Sequence, residues 1–203
     1  PETGLSFRST TNDMALVVGA LPPILRRTSD DGEFWTGAAP ATLDWRGRRL
    51  TGRVIFEYLR RNNWNRFTRK FKANWRNFNG LYLLTSDGAD FYMHSHERTG
   101  GSDLTGRLVG MATWDAPAPI TDIEFSITDK VKGGGESQFH WPTAWRVNFS
   151  HGGRRYAASL ATREKKLFAW WKTGGFRMAI VEGEITCPGE PSRKVTGWAE
   201  LLI

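Results

Sequence analysis

The chain has 203 residues, 39% of them hydrophobic and 24% charged, with ten tryptophans and a formal net charge of +7. This is enough chain for one large β domain or two small ones with a real core. The composition excludes a membrane-spanning helix, because the most apolar early stretch, 14–25, is short and broken by Gly19 and Pro22-Pro23. It also excludes an internal disulfide or a cysteine-based zinc site, because Cys187 is the only cysteine.

The positive charge points to an anionic partner or to a solvated basic face. Cys187 precedes Pro188-Gly189 at an expected strand end and reads as an inert thiol, in keeping with a reducing compartment. The chain opens on Pro1 without an initiator Met, so a leader or an upstream domain is expected before it.

In chain order, period-two runs recur between turn signals. Residues 42–45 lead through Arg46-Gly47 into a long strand over 50–59. Strands 80–85 and 89–96 flank Ser86-Asp87-Gly88, a hairpin signal. A strand over 104–114 follows a Gly-rich loop. In 120–128 the alternation sets Ile123, Phe125 and Ile127 on one face. Gly133-Gly134-Gly135 reads as a loop. Strands 145–149 and 154–160 are joined by Ser150-His151-Gly152-Gly153, and 167–171, 176–185 and 195–203 complete the series. The best helix candidate, 58–72, is crowded with Arg, Asn and aromatics and reads as an irregular basic excursion. Many short strands at this spacing predict a sandwich or a barrel, one domain over 1–203, with 1–40 a peripheral segment or the remnant of a preceding domain. So many indoles on one β-rich chain predict an aromatic-lined interior that holds an apolar molecule. Leu50-Thr51-Gly52 and Val195-Thr196-Gly197 open two strands alike, a weak internal repeat.

Several local patterns occur in a telling order: Thr51-Gly52 opening a strand that ends in Glu57-Tyr58, Asn74-Trp75 followed by Asp87-Gly88, Trp141-Pro142-Thr143-Ala144-Trp145, Val181-Glu182-Gly183, and Gly197-Trp198-Ala199-Glu200-Leu201. Together they resemble the lipocalin-like hydroxyneurosporene synthase group, which includes carotenoid 1,2-hydratase and has decalin-forming Diels–Alderases and tocopherol cyclases as relatives. The resemblance covers roughly residues 41–203, and it implies a lipocalin-like antiparallel β-barrel matching mainly the C-terminal of the family's two domains. Two departures stand out. Glu57-Tyr58 replaces the family's Asp-His, and Val181 replaces the Trp before Glu-Gly.

Glu57, among Phe56, Ile55 and Tyr58, reads either as a carboxyl kept protonated in an apolar barrel, able to protonate an alkene, or as the partner of Arg53 or Arg60. Glu182 and Glu200 match the family's two C-terminal Glu positions. Alternation sets Met178, Ile180, Glu182 and Glu184 on one face, so Glu182 ends a core-facing row as a buried acid, or else bonds Arg146 or Arg177. His94-Ser95-His96 has metal-capable spacing or is a hairpin end; no metal site is expected. Glu57 and Glu182 are thus the candidate catalytic residues. Tyr58, Trp75, Tyr82, His94, Trp141, Trp145, Trp170 and Glu200 are the candidate substrate contacts, with indole faces stabilising developing positive charge.

No Walker loop, dinucleotide fingerprint or Gly-x-Ser-x-Gly element stands out, and no cofactor is expected. Arg60 to Arg76 interleaves cations with Trp64, Phe67, Phe71 and Trp75. It reads first as inward aromatics with solvated cations, then as a segment that lies on an anionic membrane and passes a lipid into the barrel, and third as a nucleic-acid track. The expectation is a hydrophobic-ligand protein in the cytoplasm or on a membrane surface. It would be a cofactor-independent cyclase, hydratase or isomerase of secondary metabolism, a non-catalytic carrier, or, last, a nucleic-acid-binding β domain.

Overall fold

The computed structural model describes residues 3–21, 23–29, 32–63, 76–98, 101–110, 118–132, 140–163 and 176–202. Among them the chain forms fourteen strands, all paired antiparallel, and no helix. The expected strand over 167–171 and the Gly133–135 loop lie outside the described residues, as does most of the basic stretch after Asn63.

Two compact units divide the chain at Pro1–Phe67 and Thr68–Ile203. The first holds five strands: β1 (Leu5–Ser9), β2 (Met14–Val18), β3 (Pro23–Ser29), β4 (Gly32–Trp45) and β5 (Arg48–Arg61). The fourteen-residue β4 is its spine. β5 pairs along the whole of β4 on one edge, while β3 and then β2 share the other. The sequence-derived break near residue 40 therefore falls inside a continuous strand. The Arg46-Gly47 turn that joins β4 to β5 has φ of 48° and 72°, the left-handed pair that matches the twist of a two-residue hairpin. Trp35, Ala38, Ala39 and Ile55 are buried in this unit.

The second unit is a nine-stranded sheet: β6 (Arg76–Thr85), β7 (Ala89–Arg98), β8 (Gly101–Gly110), β9 (Ala118–Pro119), β10 (Thr121–Lys132), β11 (His140–His151), β12 (Arg154–Thr162), β13 (Phe176–Thr186) and β14 (Arg193–Leu202). Its spatial order is β10-β11-β12-β13-β14-β6-β7-β8-β9. The sheet curls into a lipocalin-like barrel. Phe91 on β7 packs on Phe149 of β11 and Tyr156 of β12, with ring centroids 5.3 and 6.5 Å apart, although those strands lie at opposite ends of the ladder order. The two-residue β9 pairs with β8 and runs through Ile120 directly into β10, so three residues stitch the first and last strands together.

One core fills the concave face: Leu81, Leu83, Phe91, Met93, Trp141, Trp145, Val147, Phe149, Tyr156, Leu160, Val181, Ile185, Ala199 and Leu201 are all buried in a single cluster. Period-two alternation places them, with the bulges of β10 as the local exception. There Ile123 is buried, Phe125 half-buried and Ile127 exposed, because register shifts at Thr121/Glu124 and Ile127/Asp129 break the expected single face. Cys187 is buried and free, as an inert thiol would be.

Candidate functional site

β13 corrects a sequence-derived face. Arg177, Ala179, Val181 and Ile185 turn inward, while Met178 and Ile180 are 48% and 49% exposed. The pairing explains the choice. Ala179 faces Ala199, and Val181 faces Gly197, in rows that continue into Leu81 and Leu83, and the crowded interior takes small side chains there. Glu182 goes outward with Met178 and Ile180. It is exposed, with an Oε1 3.4 Å from Arg163 Nη1. Glu57 on β5 is exposed as well. Neither carboxylate is enclosed by the apolar core, so the buried-acid alternative fails for both on exposure. Tyr58 belongs to the first unit, stacked on Trp35 with centroids 5.8 Å apart. Trp75 and Trp170 lie outside the described residues.

The remaining candidates separate onto the two faces of the barrel sheet. Trp141 and Trp145 turn inward. β12 pairs with β13 as far as Thr162 opposite Val181, and the Arg163 amide donates to the Ile180 carbonyl at 2.8 Å. Arg177 lies on the inward row of β13. Its Nη1 donates to the Pro142 carbonyl at 2.9 Å, and burial holds the guanidinium below the usual arginine range. Thr143, also buried, donates to Asp129 Oδ2 at 2.8 Å. The Trp145 indole N–H is buried with no hydrogen-bond partner among the described residues.

Tyr82, His94 and Glu200 share the outward face, on β6, β7 and β14. The register brings them together. Tyr82 is opposite Tyr92 on one side and Trp198 on the other, and Gly80 is opposite both His94 and Glu200. Tyr82 is held between two rings, Trp198 at 4.7 Å with a 16° interplanar angle and Tyr92 at 4.8 Å. The Tyr92 hydroxyl lies 2.9 Å from His94 Nδ1, a hydrogen bond whose direction follows the imidazole tautomer. The Tyr82 hydroxyl donates to Glu200 Oε2 over a long 3.4 Å. Tyr82, Tyr92 and His94 are buried, whereas Trp198 and Glu200 are half-buried. Ile180 pairs with Trp198, and Met178 with Glu200, so an exposed apolar margin adjoins the accessible side of the cluster.

This group holds an imidazole, two phenols and a carboxylate in an aromatic setting, the parts that proton transfer needs. Sequence reasoning found three of its members and missed Tyr92 and Trp198. The signal was present in the period: Tyr82, Tyr92, His94, Trp198 and Glu200 all alternate with residues of the apolar core. Asp90, also buried, is on the same outward row of β7. Among the described residues no group of three or more metal-ligating side chains occurs.

No protein-family model matches the chain, and no curated protein matches it in sequence. Solved structures share its fold. Kievitone hydratase from Nectria haematococca superposes with a TM-score of 0.60 at 10% identity, covering 98% of this chain and 64% of that one. A protein bearing the provisional name AttH, from Nitrosomonas europaea, superposes with a TM-score of 0.58 at 12% identity, covering 97% and 63%. At such identities the likeness is one of fold. The chain spans less than two thirds of the length of either structure.

Proposed function

We propose that the protein binds a hydrophobic small molecule of isoprenoid, polyketide or lipid type and acts on it by cofactor-independent proton transfer, as a hydratase, cyclase or isomerase. One observation carries the reading: the convergence of Tyr82, Tyr92, His94 and Glu200 around stacked rings on β14-β6-β7. An apolar substrate would lie along Met178, Ile180 and the exposed part of Trp198. The indole face would stabilise positive charge developing on an alkene carbon. Glu200 is the accessible proton-handling group. Tyr92 and His94 form a buried pair that returns a proton by exchanging donor and acceptor roles. In a hydration, Glu200 in its acid form delivers one proton to carbon, water adds to the cation, and the proton that water loses is taken up by the Tyr92–His94 pair and passed back to Glu200, which restores the starting state. The fold shared with kievitone hydratase is compatible with this reading, as is the sequence resemblance to the hydroxyneurosporene synthase group.

The test is conversion of a panel of polyenes and enones, with products read by mass spectrometry. Glu200→Gln and His94→Gln are each expected to lower turnover about a hundredfold, the usual scale for a lost general acid or base, while leaving thermal midpoints close to the parent. Unchanged turnover in both would overturn the assignment.

A second reading, a non-catalytic carrier, draws on a different observation. The Trp145 indole N–H is a buried donor on the concave face, which an acceptor-bearing ligand would satisfy. Native mass spectrometry separates the two. An unmodified lipid retained by the parent protein and lost in Trp145→Phe favours the carrier.

A further inference from the structure

The first unit presents an apolar sheet face built from complete register rows. Leu5, Val18, Ala41 and Gly52 stand opposite one another across β1-β2-β4-β5, as do Phe7, Leu16, Leu43 and Leu50, and Ser9, Met14, Trp45 and Arg48. Rows two residues apart share a face, so eight large or medium apolar side chains and Ala41 form one surface. The opposite face is mixed: Ser6, Arg8, Thr42, Asp44, Arg49 and Thr51 stand there with Ala15 and the exposed Val17, and Arg49 is bonded to Asp44 at 2.8 Å. Val18 at one end of this face is buried, but the rest is not a core: Leu5, Met14, Leu16 and Leu43 are half-buried, and Phe7, Leu50 and Trp45 are 52%, 41% and 40% exposed. Contiguous exposure on this scale marks an interaction surface.

Its margin identifies the partner. The Arg46 guanidinium lies 5.2 Å from the Trp45 ring centroid, and Arg48 is the cross-strand partner of the same residue. An indole flanked by two arginines at the edge of an aliphatic surface is the chemistry of a water–lipid boundary, where the ring sits at headgroup depth and the guanidinium reaches phosphate. Arg48 ends the third apolar row and Arg46 stands in the adjoining turn, so the margin of this face is positive, complementary to anionic headgroups. We infer that this sheet face docks on an anionic lipid surface, with Phe7, Leu16, Leu43 and Leu50 entering the interface and Arg46 and Arg48 engaging phosphate. The site differs from the basic stretch 60–76 suggested by the sequence. It belongs to the first unit, and the inference does not depend on the proposed proton-transfer cluster.

The experiment is co-sedimentation of the full chain with mixed phosphatidylcholine–phosphatidylglycerol vesicles and with pure phosphatidylcholine vesicles, at low and high salt. Binding is expected to the mixed vesicles and to fall at high salt. Arg46→Asn with Arg48→Gln is expected to weaken it about thirtyfold, two cations' worth at the membrane surface. Asn suits the left-handed φ of position 46 better than Arg, so the double variant keeps its fold. Phe7→Gln with Leu50→Gln, both at exposed positions, is expected to abolish binding with the thermal midpoint retained. Three results would each overturn the inference: no binding to either vesicle, equal binding to both at all salts, or self-association by sedimentation velocity that disappears in Phe7→Gln/Leu50→Gln and so makes the face a contact between copies.

Discussion

Two glycines show how tightly single residues constrain the barrel. A Cβ on Gly197 would lie 1.7 Å from the Tyr82 carbonyl oxygen, and one on Gly183 would lie 1.9 Å from that of Ser159. Both obstacles are backbone, which cannot swing aside. Gly52, which heads the similar Leu-Thr-Gly run on β5, has open space around it, so the apparent repeat joins positions with different demands. Gly197→Ala is expected to destabilise the protein by about 2–3 kcal/mol, as forced overpacking does, whereas Gly52→Ala is expected to leave stability unchanged or slightly raised. Chemical denaturation of the two variants checks the contrast. The residue scale is also where the sequence misleads. Period two in β13 is plain, but its phase is not. Met178 and Ile180 are the stronger hydrophobes, yet the interior takes Ala179 and Val181, because the facing row already holds Ala199 and Leu81. Which face is inside is a property of the neighbouring strands, and a carboxylate's role turns on it.

At the scale of elements, three hairpin ends are tied by one ionic network. Glu190, after β13, pairs with Arg154 at the start of β12 and with Arg193 at the start of β14; Arg193 also reaches Asp87 in the β6–β7 turn, Nη1 to Oδ2 at 3.1 Å. Burial pushes the Asp87 carboxyl up, but the Thr85 hydroxyl, the Ala89 amide and the Arg193 guanidinium outweigh it and hold the carboxyl below the usual carboxylate range. A carboxyl lowered in the folded state contributes stability above its unfolded value, and loses it as pH falls through the folded one. Asp87→Asn is therefore expected to cost about 0.5 kcal/mol near neutrality, the scale of half-exposed pairs, with the difference from the parent disappearing as pH falls below the usual carboxylate range. Thermal melts of both proteins across that range check it. The β6–β7, β11–β12 and β4–β5 turns were legible because Asp-Gly, Gly-Gly and Arg-Gly dictate backbone sign locally. The strands before residue 40 were not. β4 opens with Gly-Glu-Phe-Trp-Thr-Gly-Ala-Ala-Pro, a run without alternation whose extended form is imposed by pairing on both edges.

For the whole molecule, the sequence motifs led to the lipocalin-like fold, and they did so through residues with identifiable duties. Gly183 and Gly197 permit close strand approach, Trp141 and Trp145 fill the concave face, and Trp198 and Glu200 lie on the other. What could not be seen was the separation of aromatic residues between two faces, since it depends on register across nonlocal strands. If the cluster around Tyr82 is where a hydrophobic molecule binds, a saturating ligand is expected to raise the melting temperature of the parent by several degrees, on the scale of a ligand present at about a hundred times its dissociation constant. Trp198→Ala is expected to abolish that rise, as differential scanning fluorimetry would show.

The alternation along β14 has a practical consequence for anyone wishing to alter this protein. Val195, Ala199 and Leu201 are core, while Trp198 and Glu200 between them face the other way. If the proposed cluster is where a compound binds, a combinatorial library varying 198 and 200 with 178 and 180 on β13 would redraw the chemistry and shape it meets and leave the concave-face core alone. Substitutions on that outward row would then change specificity with the core residues of β14 untouched.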